Sequence, residues 1–146
     1  MQILRGDIAA VRTHATAALQ LAEAQGFASM REAGRIYQGW ALNMQEGEHK
    51  QTLQIQLGIA ALHSTSGITF RTFYLALLAE AYGRTGQAEE GLRVLAEALT
   101  LVDKTGERFY EAELYRLKGA LILQVSDQTR TTQSKSQASQ NKSRQV

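Results

Sequence analysis

Glycine recurs in two columns that keep one register along the chain: Gly6, Gly47 and Gly86 form the first, Gly26, Gly67 and Gly106 the second. Successive members are 41 and then 39 residues apart in both columns, and the two columns stay 20 residues apart in every copy. Such matched spacing is an internal repeat. A period near 40 with two turns leaves room for two helix-length segments per unit. A helical hairpin of that size buries its apolar face only against the next hairpin. The repeat therefore predicts an all-α chain, an αα superhelix of about six antiparallel helices arranged as a solenoid of hairpins.

Composition agrees with helix. There is no proline among the 146 residues, so nothing forces a kink. Ala, Leu, Glu, Gln and Arg are abundant, and each is a good helix former. With no cysteine, disulfides, thiolate metal sites and cysteine nucleophiles are excluded. The first residues, Met1 to Asp7, lack the apolar run of a signal peptide, and no stretch approaches about 18 uninterrupted apolar residues. A cytoplasmic location is the expectation.

The formal net charge of +2 is unevenly placed. Residues 126–146 hold four basic side chains (Arg130, Lys135, Lys142, Arg144) and one acid (Asp127), which leaves 12 basic against 13 acidic in residues 1–125. A nucleic-acid footprint should cluster on the folded surface, and this excess does not. No nucleic-acid partner and no membrane partner is expected. Residues 126–146 include five Ser, three Thr and five Gln with two apolar side chains, too few to offset chain entropy. The reading is a repeat domain over 1–125 and a disordered Ser/Thr/Gln-rich tail over 126–146.

Apolar periodicity places the helices. Ile8, Val11, Ala15, Ala18, Leu19 and Ala22 define one face of a helix from Asp7 to Gln25. Ser29 and Glu32 have capping-box spacing, which predicts a second helix from near Met30 through Ile36, Tyr37, Trp40 and Met44. A third is expected from Glu48 to His63 with Leu53, Leu57, Ala60 and Ala61 inward, ending in the polar run from Ser64 to Gly67. A fourth follows from Arg71 to Gly86, and a fifth carries the stripe Leu92, Leu95, Leu99 and Val102, closed by Gly106. The sixth, from Tyr110 to Gln124, is apolar on two sides.

The stretch AEAYGRTGQAEEGLRVLAEAL, Ala79 to Leu99, resembles one tetratricopeptide repeat. Ala79 stands at the small position where the paired helices approach, Tyr82 at the aromatic one, and Gly86 at the turn. Gly91, Leu95 and Ala98 match the second helix. In the unit ending at Gly47, Trp40 replaces the small residue and Asn43 the aromatic. GWAL (Gly39 to Leu42), LALLAEAYGRTGQAEEGL (Leu75 to Leu92) and GERFYEAELYRLKGALIL (Gly106 to Leu123) further resemble the helical-repeat region of large bacterial signalling proteins. Those proteins join a cyclase-homology or kinase domain to a STAND-type ATPase and then to repeats. The resemblance implies a non-catalytic scaffold that regulates such an enzyme, and the phase of the repeats implies a fragment or a truncated reading frame.

Residue patterns for catalysis are weak. The Gly34 to Gly39 gap matches a phosphate loop, but Trp40 occupies the lysine position. His14, His49 and His63 are far apart, and Glu46, Glu48 and His49 read as a solvated turn, so no metal and no other cofactor is expected. The acidic sets Glu89 with Glu90 and Glu111 with Glu113 read as first-turn helix charges. The chain is not expected to be an enzyme.

In a tetratricopeptide-like stack the first helix of each pair lines the concave face. That resemblance assigns Tyr37, Met44, Gln45, Phe73, Glu80, Arg84, Glu113 and Arg116 to a groove for a protein or peptide, with aromatic, Met and Arg side chains as anchors. Trp40 reads as core that satisfies its indole N–H. Small-molecule effector sensing and self-association are the alternative roles. The second rests on uncovered faces at Ile8, Val11 and Ala15 and at Leu114, Leu117 and Leu121.

Overall fold

A computed structural model of the chain describes residues 7–65 and 70–144, with the backbone alone at 64 and 65. All regular structure among them is helical: α1 (Ile8–Gln25), α2 (Ala28–Glu46), α3 (His49–Thr65), α4 (Arg71–Arg84), α5 (Ala88–Thr105) and α6 (Glu111–Arg144). None of these helices is long and apolar enough to cross a membrane.

The glycine columns are the turns. Gly26, Gly47, Gly86 and Gly106 all have φ between 68° and 78°, the left-handed region that costs a residue with a Cβ. Gly26, Gly47 and Gly106 cap α1, α2 and α5, each N–H returning to a carbonyl in the last helical turn. Gly6 and Gly67 lie outside the described residues. At the other end of α1, the Asp7 carboxylate accepts from Ala10 N at 2.9 Å, satisfying one of the orphan first-turn donors.

Three expectations are corrected. The capping box at Ser29 and Glu32 does not set the start of α2, which begins earlier, at Ala28. Glu32 instead takes Arg31 at 3.0 Å and Arg35 at 3.4 Å. In α3 the inward stripe is Ile55, Gly58 and Ile59 with Gln51 and Thr52, whereas Leu53 and Leu57 are exposed. Gly58 lets this face lie within reach of Ile36, and a leucine stripe cannot come so close. At the carboxyl end, α6 does not stop near Gln124 but continues to Arg144. With neither Gly nor Pro after Gly119, backbone bonding runs on, and several Ser and Thr hydroxyls bond back one turn, as at Ser126, Thr129 and Thr131. The burial argument still holds beyond Gln128, because every side chain from Thr129 to Arg144 is exposed.

The helices pack in chain order, each on the next. Beyond that, α2 touches α4 and α4 touches α6, while α1, α3 and α5 do not touch one another among the described residues. The even helices are thus in contact one after another, and the odd helices are joined only through them. α4 is central and the most enclosed, with Leu77, Ala76, Ala79 and Ala81 fully buried. Glycine permits the closest approach on its far side. Leu121 of α6 presses against Gly83 of α4 and Gly91 of α5, where an added methyl would stand 2.6 and 2.7 Å from its δ carbons. Leu114, Leu117 and Leu121 are therefore core, and the open face of α6 is a different one, Tyr115 and Ile122.

Candidate partner-binding surface

The surface formed by α2, α4 and α6 is built on rings. Tyr37 of α2, Phe73 and Tyr74 of α4 and Tyr110 at the start of α6 pack with centroids 5.0 to 6.2 Å apart, all tilted or edge-on. These are the arrangements that ring quadrupoles favour. Burial, then the neighbouring Tyr74, pushes the Tyr37 hydroxyl up to about 12. Tyr37 is thus a neutral hydrogen-bonding group across the ordinary pH range.

Next to the rings runs a line of polar side chains. Trp40 is 3 % exposed, and its indole N–H donates to Glu80 Oε2 at 3.0 Å, joining α2 to α4 and matching the core role read from sequence. Arg84 donates to the carbonyl of Met44 at 2.5 Å, a second bridge between the same helices. Arg12 of α1 reaches Gln45 at 2.9 Å. On α6, Arg116 makes a two-pronged pair with Glu113 at 2.5 and 2.7 Å. Glu113's hydrogen bonds and, less strongly, the charge of Glu80 hold the Arg116 guanidinium above its usual range. A planar guanidinium of this kind can pair with a carboxylate of a ligand in place of Glu113.

The sequence-assigned residues divide by exposure. Gln45, Arg84 and Arg116 are exposed, and Tyr37, Glu80 and Glu113 are half-buried. Met44 and Phe73, at 9 % and 8 % exposed, are core, so they support the surface and do not present themselves to a ligand. Sequence reasoning missed Arg12, Tyr74 and Tyr110. Tyr74 and Tyr110 carry the same aromatic signal as Phe73, whereas Arg12 lies on α1, an odd helix, and had none. The acidic sets lie in the first turns of α5 and α6, as read from sequence, and three of the four pair with arginines three residues away: Glu90 with Arg93, Glu111 with Arg108 and Glu113 with Arg116.

No family model matches the chain, and no solved structure matches it. An uncharacterized protein of Rhizobium meliloti (strain 1021) is 27 % identical over 86 residues, which is 59 % of this chain and 8 % of that protein. The chain thus spans a small part of the length of the curated relative it matches.

Proposed function

We propose that the chain is a binding module, a solenoid of helical hairpins whose even-helix face receives a protein or peptide and passes that event to a regulated enzyme. The carrying observation is the contiguity of α2, α4 and α6, which brings the exposed Arg84 and Arg116 and the half-buried Glu80 onto helices that also hold the ring cluster. Exposed arginines on helices that also hold packed aromatics suit a ligand carrying both carboxylates and apolar side chains, because a guanidinium pairs with a carboxylate while rings offer apolar area. The regulatory part of the reading is supported by the resemblance of GWAL and GERFYEAELYRLKGALIL to the repeats of bacterial signalling proteins.

A peptide-display selection against the chain tests this. Selected peptides should be acidic, and Arg84→Glu with Arg116→Glu should weaken them at least about 10-fold, the loss expected of charged interface contacts. Leu53→Glu, on the exposed side of α3, should leave them unchanged. Peptides indifferent to the arginine pair would refute the assignment of this face.

A further inference from the structure

Each interior odd helix is held between two even ones: α3 between α2 and α4, α5 between α4 and α6. Among the described residues α1 packs on α2 alone, and α6 has α4 and α5 on one side and no described helix on the other. The open face of α1 is a shallow hollow of about 420 Å³ lined by small side chains, Ala10, Ala15 and Ala18, with His14 and with Tyr37 at its wall. The open face of α6 is a ridge: Tyr115 and Ile122 are 55 % and 46 % exposed, with Gly119 between them. Among the described residues no even helix covers the first face and no odd helix covers the second.

We propose that copies of this chain join head to tail, the ridge of α6 in one copy seating in the α1 hollow of the next. The chain's own repeat gives the register. Within the hairpin of α4 and α5, Gly91 lies against the Ala79 carbonyl. The glycine columns relate α4 to α6 by 39 residues and α1 to α5 by 80. The equivalent contact between copies is Lys118 over Val11, which sets Tyr115 over His14 and Ile122 by Asp7, at the hollow. Lys118 and Val11 are bulkier than the Ala79 and Gly91 they replace, so the incoming helix stands further out, and the hollow is the space its tyrosine fills. The same placement puts α6 beside α2 of the next copy and so continues the run of even helices across the junction. The contact is heterologous, since the two faces differ, and it propagates until a ring closes or a filament grows.

Complementary blocked variants test this by sedimentation. Ala18→Arg blocks the hollow and Ile122→Asp blocks the ridge. Both positions are solvent-facing, and far-UV circular dichroism checks that each variant folds. The intact chain should grow beyond a dimer over about two decades of concentration, and each variant alone should associate at least about 100-fold more weakly. An equimolar mixture should give a one-to-one dimer and nothing larger, because a single competent ridge and hollow remain. Ala10→Arg with Tyr115→Glu repeats the test at neighbouring positions. A monomer at every concentration of the intact chain, a variant that still dimerises with itself, or a mixture that stays monomeric would each overturn the proposal.

Discussion

At the scale of single residues, glycines at turns and glycines at contacts have opposite sensitivities from the one inside an open helix face. A methyl at Gly91 would stand 2.7 Å from Leu121 Cδ1 and 3.0 Å from the Ala79 carbonyl oxygen, and a backbone oxygen cannot step aside. Gly119 has nothing within 4 Å and a helical backbone. Gly91→Val should therefore cost about 1–3 kcal/mol from overpacking. Gly119→Ala should gain about 0.5–1 kcal/mol by reducing the freedom of the unfolded chain. Thermal melts of the two variants should move in opposite directions. Tyr37 carries a pH signature: its folded pKa is raised from 10.0 to about 12, so the fold favours the neutral phenol. The contribution is complete below pH 10 and is lost as pH climbs toward 12. Denaturant midpoints followed through that window should fall more steeply for the natural chain than for Tyr37→Phe.

At the scale of elements, the turns were legible because glycine at positive φ is a local requirement that leaves a fixed mark. Four of the six column glycines occupy such a conformation, and the other two fall outside the described residues. Helix rotation was not legible. α3 offers two apolar stripes, one through Leu53 and Leu57 and one through Ile55 and Ile59, and periodicity alone cannot rank them. Partner shape decides, because Gly58 and Gly39 open the room that Ile36 and Ile55 occupy. On the candidate surface, exposure separates the residues assigned from sequence: Phe73 and Met44 are core and hold the face together, and Arg84 and Arg116 are exposed. The end of α6 was misread for a related reason. A polar composition precludes burial, yet it does not preclude a helix that continues from a packed start. Gln124 and Gln128 still reach the end of α4 and the turn after it, donating to the carbonyls of Gly83 at 2.8 Å and Gly86 at 3.3 Å. Deleting residues 129–146 should accordingly remove helical ellipticity while shifting the thermal midpoint by less than about 1 °C, given that surface segments without contacts contribute little. A large loss of stability would show that the exposed stretch packs on something.

At the scale of the whole molecule, the proposed solenoid requires that each hairpin rest on its predecessor, with the even helices in a row presenting one face. Equivalent positions in that row are Gln45, Arg84 and Leu123, spaced by 39 residues and all exposed, on α2, α4 and α6. The chain has no cysteine, so pairs introduced at these positions can carry spin labels without competition. Electron paramagnetic resonance distances between the three pairs are the most direct measurement. Helices packed at about 10 Å in a row give two similar short steps, from 45 to 84 and from 84 to 123, and a 45 to 123 distance close to twice either. Three similar distances would mean that α2, α4 and α6 surround a common axis, and the shared binding face would be contradicted with it.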